Sequence, residues 1–294
     1  MSALANRDFV KMNGLGNEIV IVDLRRSPNL NAQSPIAAAE LRAAARQEPY
    51  DQLMALYPAR NNDASITAAV RIYNNDGSEA AACGNGMRCV AALVGSEPSN
   101  AALKFETPAG IVSCWRADGG QFTVDMGEPR FRWNEIPLAR EFPDTRAIDL
   151  KVPGVPSLHS PSAVSMGNPH AIFWVEDPRA YDLATIGPKL EHDPLFPERA
   201  NITLAATPAR DRIVIRTWER GAGLTKACGS AACAATVAAA RLNRTGRKVT
   251  VSLPGGDLAI EWREGDGHVL MTGPVEYEHK GRFAAALLAG AGAV

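Results

Sequence analysis

The sequence predicts a mixed α/β protein with two pseudo-symmetric halves, each a curved or closed, mainly antiparallel sheet around a central helix. An Ala-Cys-Gly turn occurs twice, and its cysteines, Cys83 and Cys228, lie 145 residues apart in a chain of 294. Short runs rich in β-branched residues, typical of strands, surround both turns. Each turn leads into a helix of small and apolar residues with little charge, which suits a helix enclosed by sheet.

The repeat extends beyond the two turns. At the same offset residues 70–74 align with 215–219, and after a one-residue slip residues 107–110 align with 253–256. Gly16-Asn17 returns further upstream as Gly167-Asn168, where the offset has drifted to 151. Because these matches keep the same order, we interpret the chain as an internal duplication. The predicted halves span 1–129 and 130–294, and the tail from about 276 is expected to pack on the first half.

The predicted strands follow the same order in both halves. In the first half they cover 18–24, 66–73, 103–106, 111–115 and 122–126. In the second half they cover 171–175, 213–218, 248–253, 258–262 and 269–271.

Helices are predicted at 84–93 and 229–242, directly after the two turns, with a further amphipathic helix at 37–46. The segment between the halves contains Pro129, Pro137, Pro143, Pro153, Pro156 and Pro161. Proline removes a backbone donor and discourages helix, so this segment is predicted to be a linker.

Charge and composition exclude several classes of function. The chain carries 31 basic and 32 acidic side chains, a net charge of −1, which gives no broad positive field for nucleic acid or an anionic membrane. The first residues lack the pattern of a secretory signal, and the apolar stretch at 283–294 is too short to span a bilayer. We therefore expect a cytoplasmic protein that acts on a small molecule.

The five cysteines are predicted to be thiols. An odd number cannot pair completely, and no secretion signal is recognised. Zinc ligation is not expected, because at about 100° per residue Cys89 does not share a helix face with Cys83, nor Cys233 with Cys228. Cys89, Cys114 and Cys233 are interpreted as packing residues.

Cys83 and Cys228 differ from the other three because each lies at the start of a helix. A helix N terminus offers unpaired N–H groups and partial positive charge, which lower a thiol pKa and can hold a carboxylate. Inverting a stereocentre requires proton removal from one face and delivery to the other, and a thiolate with a thiol can supply both. The residues alone predict cofactor-free proton transfer at an α-carbon next to a carboxylate.

Five motifs then give a specific resemblance. They are Lys11–Asn17, Cys83-Gly84-Asn85-Gly86 with Arg88, Gly167-Asn168-Pro169-His170, Trp218-Glu219-Arg220-Gly221 and Ala227-Cys228-Gly229-Ser230. With these motifs in order, the sequence resembles the diaminopimelate epimerase family from residue 9 to about 274. The resemblance implies a PLP-independent isomerase that interconverts LL- and meso-2,6-diaminopimelate on the route to lysine and peptidoglycan.

The resemblance also implies residue roles. Cys83 and Cys228 would be the acid–base pair, and His170 and Glu219 would tune their pKa values. The implied substrate-binding residues are Asn13, Gln52, Asn74, Gly84, Asn85, Asn168, Asn201, Glu219, Arg220, Gly229 and Ser230. No cofactor or metal is implied, and assembly as a homodimer is left open.

Two alternatives stay open at this point. The first is a proline or hydroxyproline racemase-like isomerase, which fits less well with Asn85 after Cys83-Gly84 and with Glu219-Arg220. The second is a thiol redox protein that cycles a disulfide between Cys83 and Cys228, which the lack of a C-x-x-C motif disfavours.

Overall fold

The structure, a computed structural model, describes residues 2–27, 29–95, 102–152, 154–155 and 157–286. The chain divides into two compact units: residues up to Val124 together with those from Pro274 form the first, and Asp125–Gly273 form the second. The predicted boundaries of the duplicated halves stay a prediction. Within the described ranges, no helix is both long enough and apolar enough to cross a membrane.

Strands dominate the fold. They are β1 (Asp8–Asn13), β2 (Glu18–Asp23), β3 (Gln52–Tyr57), β4 (Ala68–Asn74), β5 (Glu79–Ala80), β6 (Leu103–Thr107), β7 (Gly110–Arg116), β8 (Phe122–Asp125), β9 (Ser162–Ser165), β10 (Pro169–Trp174), β11 (Asn201–Ala209), β12 (Arg212–Glu219), β13 (Gly223–Leu224), β14 (Lys248–Leu253), β15 (Gly256–Trp262), β16 (Val269–Gly273) and β17 (Glu276–Arg282). The helices are α1 (Ala38–Gln47), α2 (Gly84–Val94), α3 (Leu183–Glu191) and α4 (Gly229–Arg241).

The two units connect their strands in the same way. In the first, β1–β2 is antiparallel, β2–β3 parallel, β3–β4 antiparallel, β4–β6 parallel, and β6–β7 and β7–β8 antiparallel. The second unit repeats this series as β9–β10, β10–β11, β11–β12, β12–β14, β14–β15 and β15–β16. The shared order confirms the predicted mixed α/β class and is what a duplication produces.

The central helices are enclosed by sheet, as their composition indicated. Helix α4 contacts β9, β10, β11, β12, β14, β15 and β16, and its Ala-rich sequence lets the strands approach closely from several sides. Alanine also has the highest helix propensity, so the same residues favour the helix itself. Helix α2 contacts β2, β3 and β7 in the first unit.

The predicted strands and helices all exist within a few residues of their predicted bounds, but several elements were missed. Strand β3 contains no β-branched residue, β11 is interrupted by three alanines and a proline, and β17 is exposed along nearly its whole length. Helix α3 was missed because it contains Pro188. Its first turn is stabilised by Asp182, whose side chain accepts a hydrogen bond from Thr185 N.

The interpretation of the proline-rich segment as a linker is wrong. Ile136, Leu138 and Ile148 are almost completely buried in the core of the second unit. Their packing shows that proline excluded regular secondary structure from this segment without excluding it from the core. Of its prolines, Pro153 and Pro156 lie outside the described residues.

Candidate active site

The first half-site surrounds Cys83. This half-buried residue is the N-cap of α2, in extended conformation at φ −149°, and its Sγ accepts a hydrogen bond from Gly86 N at 3.2 Å. A Cβ on Gly86 would lie 2.7 Å from Met54 Sδ and 3.3 Å from Cys83 Sγ. Glycine at 86 therefore lets the first helical turn close over the thiol, and this N–H donor favours the thiolate form.

Two predicted residues lie beside this thiol because β3 and β4 pair Gln52 opposite Asn74. Gln52 Oε1 accepts a hydrogen bond from Cys83 Sγ at 2.7 Å, while Gln52 Nε2 donates to Asn74 Oδ1 at 3.3 Å. Asn74 Nδ2 donates in turn to Ser78 Oγ at 3.0 Å. The strand register thus aligns a chain of amides that ends on the sulfur.

Asn13, which the motif predicts to bind substrate, lies at the end of β1. Its Oδ1 accepts from Gly16 N at 2.6 Å and its Nδ2 donates to Glu278 at 3.2 Å, so it shapes the turn after β1. The asparagine beside the thiol is Asn17, whose Oδ1 lies 3.8 Å from Cys83 Sγ. The repeat of Gly16-Asn17 as Gly167-Asn168 was the signal in the sequence that could have identified it.

The first turn of α2 is tightly enclosed. Asn85 is 4% exposed, and Arg88 one turn further on is completely buried. A Cβ on Gly14 would lie 3.2 Å from Asn85 Cβ, so the glycine lets the β1–β2 turn pass close to the helix start. This packing fixes Gly84 and Asn85 where their backbone N–H groups begin the helix.

The second half-site surrounds Cys228, the N-cap of α4 at φ −117° and only 4% exposed. Its Sγ lies 3.5 Å from Ser230 Oγ. Burial raises the pKa of this thiol well above its usual value, and the Glu219 carboxylate raises it further by charge and hydrogen bonding. The expectation that the helix terminus lowers the pKa is wrong for Cys228, because desolvation and a nearby anion outweigh the terminal N–H groups.

Two more predicted residues, His170 and Asn168, form a series of hydrogen bonds that ends on Ser230. His170 Nε2 contacts Asn168 Oδ1 at 2.9 Å, and Asn168 Nδ2 donates to Ser230 Oγ at 3.3 Å. His170 is completely buried, and burial, aided by the charge of Arg220, lowers its pKa to about 3. The ring is therefore neutral near pH 7, so it orients Asn168 as a hydrogen-bond donor instead of acting as a cation.

A buried neutral histidine makes stability depend on pH. The unfolded chain takes up a proton at His170 as the pH falls through about 6.5, whereas the folded chain does so only near 3. Between these values the folded state loses stability as the pH falls. In the wild type the free energy of unfolding should fall between pH 7 and pH 4, and His170→Gln should make this fall smaller by about 3 kcal/mol. Urea unfolding at the two pH values measures it. Equal losses in wild type and variant would contradict this, and the exposed His159→Gln serves as the control.

The remaining predicted residues of this half-site lie on adjoining strand ends. Asn201, at the start of β11, donates to Pro169 O at 3.1 Å and accepts from Arg220 N at 2.9 Å. Arg220 Nη1 donates to Glu198 O at 2.9 Å, and Glu219 accepts from Thr225 Oγ1 at 2.5 Å. Asn201 therefore orients the turn that begins with Glu219 and Arg220.

Sequence reasoning missed the buried residue whose side chain accepts hydrogen bonds from both ends of the turn that contains Glu219 and Arg220. Glu191, at the end of α3, is 3% exposed and accepts from Trp218 Nε1 at 2.7 Å, Gly221 N at 3.0 Å and Arg199 Nη1 at 3.3 Å. A Cβ on Gly187 would lie 2.4 Å from the Trp218 ring, so this glycine lets α3 pack on the indole. A single acidic residue in an amphipathic helix carries no signal of this role.

The two half-sites have corresponding members at corresponding points of the shared topology. Each cysteine is the N-cap of a helix that follows a short strand, and the other pairs are Asn17 with Asn168, Gln52 with Asn201, and Asn74 with Glu219. All five cysteines lie in the described part of the chain, and each is a thiol. Each half-site contains a thiol that can exchange a proton and amide groups that can form hydrogen bonds with a small polar molecule.

Solved structures define the class of fold. The chain superimposes on a hydroxyproline epimerase from Agrobacterium vitis with a TM-score of 0.68 and 15% identity, covering 100% of this chain and 97% of that one. The fold is thus that of a known epimerase structure.

Sequence comparison narrows the class. The profile of the diaminopimelate epimerase family matches residues 9–132 and 162–278. A diaminopimelate epimerase of Rhodopseudomonas palustris strain TIE-1 is 62% identical over 294 residues, covering 99% of this chain and 98% of the relative. One of Afipia carboxidovorans is 62% identical over 288 residues, covering 96% and 97%. The chain belongs to the diaminopimelate epimerase family and is therefore an isomerase.

Proposed function

We propose that this protein interconverts LL- and meso-2,6-diaminopimelate without a cofactor, in the synthesis of lysine and peptidoglycan precursors. The observation that carries the proposal is the pair of thiols, Cys83 and Cys228, at the N-caps of equivalent helices in two identically connected units. The substrate follows from the family to which the chain belongs. A cytoplasmic location and a homodimer stay predictions.

In the proposed reaction one cysteine removes the α-proton as a thiolate, and the other delivers a proton to the opposite face from its S–H bond. The raised pKa of Cys228, caused by burial and by Glu219, supports this residue as the thiol that donates first. The hydrogen bond from Gly86 N supports Cys83 as the thiolate that accepts first. The reverse reaction exchanges these roles, and the two thiols titrate as a pair.

The proposed binding groups follow the charges of the substrate. The N–H groups at Gly84-Asn85 and Gly229-Ser230 begin α2 and α4 and suit the carboxylate next to the reacting carbon. Arg220 suits a carboxylate as well, because its planar donors can bind both oxygens. Gln52, Asn74, Asn168, Asn201 and Glu219 are proposed to bind the remaining polar groups, with Asn17 added because of its position beside Cys83. Asn13 stays a prediction from the motif.

The test is a direct assay of the reduced protein. Purified protein is incubated with LL-diaminopimelate without added PLP or metal, and the stereoisomers are separated by chiral chromatography. Appearance of meso-diaminopimelate is expected. Conversion of L-proline or trans-4-hydroxy-L-proline, with no conversion of diaminopimelate, would favour the racemase alternative and contradict the proposal.

Glu219 offers a prediction about pH. Its carboxylate raises the pKa of Cys228, so Glu219→Gln should lower that pKa. Less Cys228 is then protonated at a given alkaline pH, and the alkaline limb of the rate profile should move to lower pH by about one unit. The profile of kcat/KM against pH measures this shift. The exposed Glu264→Gln is the control, and an unmoved limb in Glu219→Gln would contradict the assignment.

A further inference from the structure

The two equivalent asparagines turn opposite ends toward their half-sites. In the first, Asn17 Nδ2 points away and donates to Asp51 Oδ2 at 3.0 Å, which leaves its carbonyl oxygen on the side of Cys83 Sγ. In the second, Asn168 Oδ1 faces His170, and its NH₂ group donates to Ser230. The same residue type thus presents an acceptor near one thiol and a donor near the other.

The outer partner explains the difference. Asp51 can only accept hydrogen bonds when ionised, and its Oδ2 also accepts from Glu18 N at 2.8 Å, which holds the carboxylate in place. An amide beside such a group must turn its NH₂ toward it. The neutral His170 instead donates from Nε2, because the atom that Nε2 contacts at 2.9 Å, Asn168 Oδ1, can only accept. Each outer group therefore fixes the orientation of its asparagine.

A second carboxylate determines the donor-to-acceptor direction of the series of hydrogen bonds that runs through Gln52 to Cys83. Asp76 Oδ1 accepts from Ser78 Oγ at 2.6 Å and from Ser78 N at 2.8 Å. Ser78 Oγ then accepts from Asn74, whose carbonyl accepts from Gln52, whose own carbonyl accepts from the Cys83 thiol. Because an ionised carboxylate begins this chain as an acceptor, every link points its donor outward and its acceptor toward Cys83.

We propose that Asp51 and Asp76 are positioning residues that hold the carbonyl oxygens of Asn17 and Gln52 toward Cys83. Both carboxylates are exposed, and each accepts from a group of these series, Asp51 from Asn17 and Asp76 from Ser78, so they act through the amides. Carbonyl oxygens stabilise the protonated thiol, whereas the Gly86 N–H and the helix terminus stabilise the thiolate. Through these amides the two carboxylates favour the protonated form of Cys83, whereas the helix terminus favours its thiolate form.

The consequence for catalysis rests on the proposed function. A cysteine that alternates between acid and base works best when its pKa lies near the operating pH, since an overstabilised thiolate is a weak base. The carbonyl oxygens keep Cys83 from becoming such a thiolate. Other charged groups on α2 and the strands it contacts are Arg88, Glu18, Asp23 and Arg116, and all remain unchanged in the variants below.

The test measures Cys83 itself, independently of substrate. Full-length protein is alkylated with iodoacetamide across a pH series, and mass spectrometry follows the peptide that contains Cys83. In Asp51→Ala and in Asp76→Ala the amides are no longer held, and the midpoint of alkylation should move down by about one pH unit. Asp51→Asn and Asp76→Asn can keep a carbonyl oxygen at the accepting position, so they should restore the wild-type midpoint.

Asp63→Ala is the matched control. Asp63 accepts from Ser65 N at 2.8 Å in a turn like that of Asp76 and Ser78, but the chain to Cys83 does not begin there. Its midpoint should equal that of the wild type. An unchanged midpoint in Asp51→Ala or Asp76→Ala, with the fold verified by thermal unfolding, would overturn the role of that carboxylate.

Activity supplies the second readout. In the reaction direction in which Cys83 accepts the proton, kcat of the alanine variants should fall several-fold with little change in KM. The asparagine variants should have a kcat close to that of the wild type. A loss of kcat without recovery by asparagine would contradict a positioning role. A wild type that shows no epimerisation, together with shifted midpoints in the variants, would refute the proposed function while leaving the orientation of the amides established.

Discussion

Cys83→Ala and Cys228→Ala should each reduce epimerisation by at least about a thousandfold while the fold stays intact. Each substitution removes the acid–base group that the proposed reaction assigns to one face of the α-carbon. Cys83 is half-buried and Cys228 is 4% exposed at a helix start, so loss of one sulfur leaves the strands of both units in place. Conversion of LL-diaminopimelate to the meso isomer measures the loss of activity, and the far-ultraviolet circular dichroism spectrum shows whether the fold is retained.

The chain contains its own controls for these variants. Cys89 and Cys233 are fully buried and lie further along the same two helices. Burial raises the pKa of Cys89 to about 12, which keeps this thiol protonated and unreactive near pH 7. Cys89→Ala and Cys233→Ala should keep near-wild-type turnover at a temperature where they are folded. Full activity in either N-cap variant would refute a mechanism that needs both thiols.

Glu191→Ala should have the largest effect on stability, lowering the free energy of unfolding by about 3 kcal/mol. The substitution leaves the Trp218 indole N–H and the Gly221 N–H without their acceptor, and the carboxylate that accepted them is 3% exposed. The turn that carries Glu219 and Arg220 lies between these two donors. We therefore expect activity to fall as well, even at temperatures where the variant is folded.

Urea unfolding followed by circular dichroism measures this loss of stability, with Glu198→Ala as the matched control. Glu198 lies in the same region but is exposed, and the bond it makes with Arg220 uses its backbone carbonyl. Its substitution should change the free energy of unfolding by less than about 0.5 kcal/mol. A loss of similar size in both variants would show that the buried carboxylate is not the supporting group.

The duplication was readable from the sequence because it repeats residues that the fold needs at fixed points. Alternating or β-branched runs gave β4, β7, β12 and β15, and the paired Ala-Cys-Gly turns gave the starts of α2 and α4. Strand β17 was not predicted, because its stability comes from pairing with β1, which a local pattern does not report. Tertiary contacts override local propensity in such elements.

The candidate site was predictable in its residue types and less so in its electrostatics. Motif position predicts roles for Cys228, Glu219 and His170, but only burial reveals that the pKa of the thiol is raised and that the imidazole stays neutral. The orientation of Asn17 depends on Asp51, which is 34 residues distant in sequence. Hydrogen-bond polarity of this kind follows from three-dimensional neighbours and leaves no trace in spacing.

The most direct test of the central claim, one thiol for each face of the α-carbon, is the fate of deuterium in heavy water. Reduced protein converts LL-diaminopimelate during the first few per cent of reaction, and mass spectrometry then measures α-deuterium separately in the product and in the remaining substrate. Two acid–base groups predict a meso product that carries deuterium and a substrate that stays unlabelled. Deuterium appearing equally fast in the recovered LL isomer would mean that one group removes and returns the proton, and would contradict the two-thiol account.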